Sequence, residues 1–316
     1  MALRVALFGT PGFAVPTLHH LLRSTHQVVA VVTQPDRARG RGQHVTAGPV
    51  KAAAVSSGIV VLQPDRLARD VFGAAFEALG ADIGVVAAYG KLLPDWLLTT
   101  PRLGIINVHA SLLPRYRGAS PVHRAVMAGD TETGVTIMRV VTALDAGAML
   151  AHAAVDIAPD DTTDHLEGRL AEVGAALLVA TLDRLERGPV AETPQDEHLV
   201  SYAPRLVKSD GVVDWARPAA VIHNQIRGLS PWPHAFTFLE GHRVILHRSR
   251  ASDQPMADAR PGTILRASAT DGLHVACGDG HALELVDVQF EGTRVMPARE
   301  VLAHRGFAIG SQFLAS

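Results

Sequence analysis

Two polar residues, Asn107 and His109, stand at the end of the short apolar stretch GIINVH. Alternate residues of a β-strand project from the same face, so the amide and the imidazole would lie side by side. Both groups can donate hydrogen bonds to an oxygen that gains negative charge, as happens in acyl transfer. The pair therefore indicates an oxyanion-stabilising site. The alternative is that both side chains only satisfy backbone groups of the loop that follows.

A carboxylate that could complete such a site is Asp145, in LDAGAML after the apolar run GVTIMRVV. If Asp145 lies near His109, the two side chains can move a proton during a reaction. The alternative is an ordinary turn residue, because Asp before Ala-Gly is common in turns. The distance between the two side chains decides between these interpretations.

A third feature is the basic segment TQPDRARGRGQHVTAGPVK, which carries Arg37, Arg39 and Arg41. The planar guanidinium fork binds two oxygens of a phosphate at once, so arginines alternating with small residues suit a nucleic-acid backbone. A solvated surface loop is the alternative interpretation.

The elements that must position these residues follow from the hydrophobic pattern. In the first 140 residues, β-branched runs alternate with helical stretches, which predicts a parallel sheet covered by helices, with Asn107 and His109 at its carboxyl edge, where ligands bind. The run TTDHLEGRLAEVGAALLVATLDRLERG predicts one long helix. Later alternating runs joined by glycine turns predict a small antiparallel sheet or barrel. We predict a catalytic domain at 1–188, a linker at 189–207 and a C-terminal domain at 208–316.

The composition excludes several classes of protein. With 47% hydrophobic and 19% charged residues and a net charge of −2, the chain is neither a disordered segment nor a generic nucleic-acid binder. The single Cys277 excludes an internal disulfide and a cysteine zinc ribbon. The sixteen histidines form no metal-ligand motif, so no metal is expected. No stretch is apolar for long enough to span a membrane, and the cytoplasm is the expected compartment.

Taken together, these segments resemble the methionyl-tRNA formyltransferase family along nearly the whole chain. The matching N-terminal blocks are FGTPGFAVPTLHHLL, VVTQPDR, VVAAYGKLLP, LGIINVHASLLPRYRGASPVHRAV, GDTETGVTIM and LDAGAML, and the C-terminal block is IRGLSPWPHAFT followed by PGTI. The resemblance implies an α/β fold, with a Rossmann-like parallel-sheet domain and a smaller C-terminal β-barrel of OB-like type that binds tRNA. It also implies the transfer of a formyl group from 10-formyltetrahydrofolate to the α-amino group of methionyl-initiator tRNA for translation initiation. We expect a monomer and no metal.

The resemblance also assigns roles to residues. The family's catalytic trio of Asn, His and Asp corresponds to Asn107, His109 and Asp145. The family's folate-binding stretches correspond to Ser111, Leu112, Leu113 and Pro114, and to Tyr89 and Gly90. The basic segment implies that tRNA is bound by Arg37, Arg39 and Arg41. The chain departs from the family pattern at Gln43-His44, where lysines are common, and at Ala146 and Ala148.

Three alternatives stay open from the residues. A nucleotide-sugar amine formyltransferase shares the Asn-His-Asp trio, but it has no need of the basic segment or of IRGLSPWPHAFT. A glycinamide ribonucleotide formyltransferase is normally shorter. A non-catalytic tRNA-binding or nucleotide-binding module would keep Asn107 and His109 only for structure.

Overall fold

The computed structural model describes residues 2–39, 44–255, 259–304 and 307–315. The chain divides into two compact units. The N-terminal unit comprises Met1–Pro121, Glu132–Asp156 and Glu167–Ala203, and the C-terminal unit comprises Val122–Thr131, Ile157–Leu166 and Pro204–Ser316.

The N-terminal unit is built on a seven-stranded sheet whose strand order is β5-β2-β1-β6-β7-β8-β9. The strands are β1 (Arg4–Gly9), β2 (Gln27–Val32), β3 (Arg37–Arg39), β4 (His44–Thr46), β5 (Val61–Leu62), β6 (Ile83–Ala87), β7 (Ile105–His109), β8 (Glu132–Arg139) and β9 (Met149–Asp156). The five strands from β5 to β7 run parallel, as the alternating pattern predicts. Strands β3 and β4 form a separate two-stranded sheet.

One strand direction differs from the predicted parallel sheet. Strand β8 runs antiparallel to β7, with Ile106 opposite Arg139 and His109 opposite Thr136. Strand β9, which the sequence pattern did not reveal, pairs antiparallel with β8. The nine residues between β8 and β9 are too few for the crossover that a parallel pair requires. The carboxyl end of β8 therefore lies beside the amino end of β7.

Helices cover the strands and join them. They are α1 (Ala14–Arg23), α2 (Pro49–Ser56), α3 (Ala74–Glu77), α4 (Asp95–Thr99), α5 (Pro121–Ala128), α6 (Thr163–Arg187), α7 (Ala219–Gly228) and α8 (Ala298–His304). The predicted long helix is confirmed as α6. One aromatic cluster packs at the β1 side of the sheet, where Phe8 contacts both Phe76 and Tyr89. No helix of the described residues is both long enough and apolar enough to cross a bilayer.

The C-terminal unit contains an antiparallel sheet with the order β10-β11-β14-β13-β12, and β15 pairs with β14. Its strands are β10 (Ala235–Leu239), β11 (His242–Pro255), β12 (Ile264–Ser268), β13 (Gly272–Ala276), β14 (His281–Phe290) and β15 (Met296–Pro297). The end of the chain joins the two edges of this sheet, because Leu314 pairs with Phe238 of β10 and Gln312 pairs with Thr263 beside β12. The alternating pattern predicts a small antiparallel sheet or barrel, and the bridges at both edges close this antiparallel sheet into a barrel. Its core includes Trp215 stacked on Phe313, with ring centroids 5.8 Å apart.

Candidate active site

Asn107 and His109 both lie on β7, which is an interior strand. Asn107 is opposite Val86 of β6 and Met138 of β8, so the backbone of this strand is held on both sides. The His109 side chain is buried, and its Nε2 lies 3.0 Å from the carbonyl oxygen of Tyr116. A carbonyl can only accept a hydrogen bond, so Nε2 carries the hydrogen and donates it. Nδ1 is therefore the ring nitrogen left for other partners.

The side-chain amide of Asn107 is half-buried. Among the residues that the structure describes, none forms a hydrogen bond with this amide. Its two N–H donors are therefore available to a ligand that binds beside His109.

Asp145 is the partner that His109 Nδ1 faces. Its Oδ2 lies 3.8 Å from Nδ1, a distance too long for a hydrogen bond but short enough for an ion pair. The same oxygen accepts the backbone N–H of Gly118 at 2.9 Å. The backbone of Asp145 is left-handed, with φ of 46°, a conformation that non-glycine residues rarely adopt. Asp145 is thus both a turn residue and the carboxylate beside the imidazole of His109.

The loop between β8 and β9, residues 140–148, brings Asp145 to this position. Asp145 does not reach His109 from the carboxyl edge of the parallel sheet, because β8 runs antiparallel to β7 and ends beside the start of β7. The loop closes where the N–H of Arg139 donates to Ala148 O at 2.9 Å. Gly147 is required at this closure, because a Cβ there would lie 1.9 Å from the carbonyl oxygen of Arg139.

The predicted folate stretch, residues 111–114, forms a tight loop after β7. The hydroxyl of Ser111 is fully buried and donates to Arg115 O at 2.6 Å, so it shapes the loop and is not free for a ligand. Thr136 of β8 donates to Ser111 O at 2.7 Å and accepts the N–H of Leu113 at 3.1 Å. The Leu113–Pro114 peptide bond is cis. Leu113 is buried, whereas Leu112 and Pro114 are partly exposed.

Tyr89 and Gly90, the second predicted folate stretch, follow β6. The Tyr89 ring is only 1% exposed and meets Phe8 edge to face at 5.6 Å, so it belongs to the hydrophobic core and cannot form a wall of an open pocket. Burial raises the pKa of its hydroxyl to about 12. The backbone of this stretch is left-handed at Ala88 and Gly90, and the Tyr89 carbonyl accepts a hydrogen bond from Gln34 at 2.7 Å. Any contact of Tyr89 with a ligand must therefore come from its main chain.

Two of the predicted tRNA-binding arginines, Arg37 and Arg39, belong to β3 of the β3–β4 hairpin. Arg37 is opposite Thr46 and Arg39 is opposite His44, so two of the three stand on a strand where the sequence suggested a loop. Arg41 lies outside the described residues. Beside the hairpin, Lys51 pairs with Asp36 and donates to Gln63 Oε1 at 2.7 Å. Hydrogen bonds from Lys51 and Gln63 lower the pKa of the Asp36 carboxyl.

Two residues of the site were missed by the sequence reasoning. The side chain of Arg117 is 4% exposed, and it donates to Gln195 Oε1 at 2.9 Å and to Glu197 at 2.8 Å. Gln195 Nε2 in turn donates to the carbonyls of Asp145 and Gly147, both at 2.8 Å. The sequence held no signal for Gln195, a single amide in a polar segment. Arg117 stands two residues after Arg115 in the sequence, and this spacing gave no sign that its side chain is buried.

The described residues contain no candidate metal site. Within these ranges, no three His, Cys, Asp or Glu side chains are grouped in a way that could hold a metal ion.

Two known protein families match the chain, one over its N-terminal part and one over its C-terminal part. Residues 3–182 match the family described as formyl transferase, and residues 205–306 match the formyl transferase C-terminal domain. A methionyl-tRNA formyltransferase of Paracoccus denitrificans is 48% identical over 97% of the chain and 98% of the relative. A methionyl-tRNA formyltransferase of Acidobacterium capsulatum is 46% identical over 95% of the chain and 96% of the relative.

Solved structures share the fold at low sequence identity. The N-formyltransferase of Helicobacter canadensis, solved with folinic acid and dTDP-3-aminofucose, superposes with a TM-score of 0.67 at 15% identity, over 90% of the chain and 98% of that protein. HypX of Aquifex aeolicus, solved with tetrahydrofolic acid, superposes with a TM-score of 0.64 at 16% identity over 96% of the chain. The chain spans about half the length of HypX, covering 47% of it.

Proposed function

The chain belongs to the methionyl-tRNA formyltransferase family, and from this premise we propose that it transfers a formyl group from 10-formyltetrahydrofolate to the α-amino group of methionyl-initiator tRNA. The proposal rests on one observation above all. The amide of Asn107 and the imidazole of His109 share one strand, and the carboxylate of Asp145 lies 3.8 Å from the imidazole. An amide, an imidazole and a carboxylate in this arrangement suit acyl transfer to an amine.

In the proposed reaction, the neutral amine of methionine attacks the formyl carbon. A new C–N bond forms, the carbonyl oxygen becomes an oxyanion, and the bond from the formyl carbon to the folate nitrogen then breaks. One proton leaves the amine, and one proton reaches the departing folate nitrogen. An α-amino group has a reference pKa of about 8, so a strong base is not required. The demanding tasks are to stabilise the oxyanion and to move the proton.

We assign the oxyanion to Asn107 and His109. The amide of Asn107 has no hydrogen-bond partner among the described residues, so its N–H groups can donate to the oxyanion. Because Nε2 of His109 donates to Tyr116 O, His109 can donate through Nδ1 only as an imidazolium, with the Asp145 carboxylate as its counter-charge. We assign proton movement to Asp145, directly or through a water. The N–H of Gly118 on Oδ2 fixes the orientation of that carboxylate.

Two kinds of comparison support a folate co-substrate. Both units match formyl transferase families, and fold relatives were solved with tetrahydrofolic acid or folinic acid. We propose that the co-substrate is the 10-formyl form, which carries the group to be transferred. We propose further that folate lies against the loop at Leu112 and Pro114 and against the main chain at Tyr89 and Gly90.

The tRNA would be bound by the basic hairpin and by the C-terminal domain, which we predict at 208–316. The arginines at 37, 39 and 41 would contact phosphates of the acceptor arm. We propose that the protein acts as a monomer, in the cytoplasm, where charged tRNA is made. No metal takes part in the proposed reaction.

The experiment that tests this function offers the purified protein competing acceptors. With radiolabelled 10-formyltetrahydrofolate, we expect formylation of methionyl-initiator tRNA and none of a sugar-nucleotide amine or of glycinamide ribonucleotide. The opposite preference would reject the proposal. Binding of tRNA without any transfer would favour the non-catalytic module.

A further inference from the structure

Between the two matched families lies a stretch, residues 191–199, in which one buried residue stands among exposed neighbours. From Ala191 to Leu199 every side chain is exposed except Gln195, which is 9% exposed. A glutamine loses side-chain entropy and hydration on burial, so its burial requires compensating hydrogen bonds. The contacts of Gln195 show where this compensation comes from.

Both the nitrogen and the oxygen of the Gln195 side-chain amide form hydrogen bonds. Its Nε2 carries two hydrogens, and these go to the carbonyls of Asp145 and Gly147, each at 2.8 Å. Its Oε1 accepts from Arg117 Nε at 2.9 Å. Gln195 therefore joins the loop that holds Asp145 to the loop that follows His109.

These bonds close a ring around the site. Arg117 is followed by Gly118, whose N–H binds Oδ2 of Asp145 at 2.9 Å. Asp145 returns to Gln195 through its own carbonyl. A ring of this kind holds Asp145 through both its side chain and its backbone, and so fixes the position of the carboxylate.

The same segment holds the second loop by its main chain. Ser201 Oγ accepts the N–H of Tyr116 at 2.9 Å, and Ser201 O accepts the N–H of Arg117 at 2.8 Å. Tyr116 is the residue whose carbonyl receives Nε2 of His109. At its other end the segment pairs with the start of β9, because Thr193 and Met149 exchange both backbone hydrogen bonds.

We propose that Gln195 is a positioning residue, which holds Asp145 in its left-handed conformation and so keeps the carboxylate beside His109. The φ of 46° at Asp145 is unfavourable for an aspartate and persists only where the surroundings impose it. The two hydrogen bonds from Gln195 lie at Asp145 and two residues beyond it. This inference rests on the proposed function for its kinetic consequence, but the geometry of the ring does not depend on that function.

The first test is kinetic and uses two variants of the full-length chain. Gln195→Glu retains the acceptor for Arg117 but places a carboxylate against the two carbonyls. Gln195→Leu removes all three hydrogen bonds without adding charge. We expect kcat to fall about a hundredfold in both, the loss typical of a displacement of about 1 Å at a reacting group, with KM for both substrates within about twofold. A kcat within about threefold of the wild-type value in both variants would overturn the proposal.

The control for the added charge is Leu199→Glu, which places the same charge at an exposed position of the same segment. It should leave kcat unchanged. A second comparison repeats Gln195→Leu in an Asp145→Asn background. If Gln195 acts through Asp145, the second change adds less than about twofold to the loss. An equal loss in both backgrounds would show a general structural effect and reject the positioning role.

A readout independent of activity separates this inference from the proposed function. The N–H of Gly118 is bonded to Asp145 Oδ2, so hydrogen exchange at Gly118 should quicken in Gln195→Leu and stay unchanged in Leu199→Glu. Unchanged exchange at Gly118 would overturn the ring even if the wild type formylates tRNA. Faster exchange in a protein that does not formylate methionyl-tRNA would reject the proposed function and leave the ring in place.

Discussion

Oδ2 of Asp145 lies 3.8 Å from Nδ1 of His109, although His109 stands on β7 and Asp145 lies in the loop after β8, a strand that runs antiparallel to β7. The contact depends on how each partner is held on its other side. His109 is tied through Nε2 to Tyr116 O, and Asp145 is tied through Oδ2 to the N–H of Gly118. Because Tyr116 and Gly118 belong to one loop, a single turn of chain orients both the imidazole and the carboxylate.

The first prediction concerns the charge of Asp145. Asp145→Asn preserves the shape of the side chain and leaves an oxygen for the N–H of Gly118, but it removes the carboxylate from His109. We expect kcat for formyl transfer to fall by about 10²–10⁴-fold, the usual range for loss of an acid–base group. Single-turnover formylation measures this loss. Asp70→Asn, at an exposed position, is the control and should keep full activity. Normal turnover in Asp145→Asn would exclude the assigned role.

A second prediction concerns Asn107 as an oxyanion donor. Asn107→Ala removes the side-chain amide, and Asn107→Asp replaces it with an isosteric group that cannot donate when ionised. Both changes should lower kcat by about 10²–10³-fold with little change in either KM, because the donor acts mainly in the transition state. Steady-state kinetics with each substrate varied in turn distinguishes this outcome. A rise in KM alone would make Asn107 a binding residue.

The third prediction concerns the closure of the loop at Gly147. A Cβ at this position would lie 1.9 Å from Arg139 O, so Gly147→Ala must displace the backbone next to Asp145. We expect a stability loss of about 1–3 kcal/mol, as for other overpacked sites, together with a lower kcat. Urea unfolding and formyl transfer measure the two effects. Gly12→Ala is the matched control, since a Cβ there meets no atom within 4 Å. Equal stability of the two variants would contradict this account of Gly147.

A fourth prediction separates the Tyr89 side chain from its main chain. The hydroxyl is buried and has no hydrogen-bond partner among the described residues, and the ring packs in the core. Tyr89→Phe should therefore leave stability unchanged or raise it by up to about 1 kcal/mol, with no change in KM for folate. Tyr89→Ala should lose about 3–5 kcal/mol, as other large aromatic deletions do. A tenfold rise in the folate KM of Tyr89→Phe would show that the hydroxyl contacts the ligand.

The fifth prediction is a pH dependence of stability that arises from His123. Burial, with a smaller contribution from Arg124, lowers the pKa of His123 from 6.5 to about 4. Above pH 6.5 the residue is neutral in both states and contributes nothing. As the pH falls from 6.5 towards 4, the unfolded chain binds a proton that the folded chain does not, so stability declines by up to about 3 kcal/mol.

Urea unfolding at intervals between about pH 4.5 and 7.5 measures this dependence of stability on pH. The series is repeated at a second protein concentration to exclude association. His123→Gln should flatten the decline, whereas His165→Gln, at an exposed position, should not. A slope that is the same in wild type and in His123→Gln would assign the pH dependence to other groups, such as His223 and His234, whose pKa values burial also lowers.

The sequence by itself determined the elements whose pattern is local. Alternating β-branched runs and helical stretches predicted strands β1, β2, β6 and β7 and the long helix α6, because side-chain periodicity depends only on neighbouring residues. The spacing of Asn107 and His109 placed them on one strand face for the same reason. The single cysteine and the mixed composition excluded several classes of protein without any fold.

Tertiary structure alone decided what depends on contacts between distant segments. The direction of β8, the approach of Asp145 to His109 and the burial of the Tyr89 ring all depend on packing between residues far apart in the chain, which no local pattern encodes. Gln195 shows the limit most clearly. A glutamine in a polar segment reads as solvent-exposed, and only the folded loops supply the two carbonyls and the arginine that make its burial favourable.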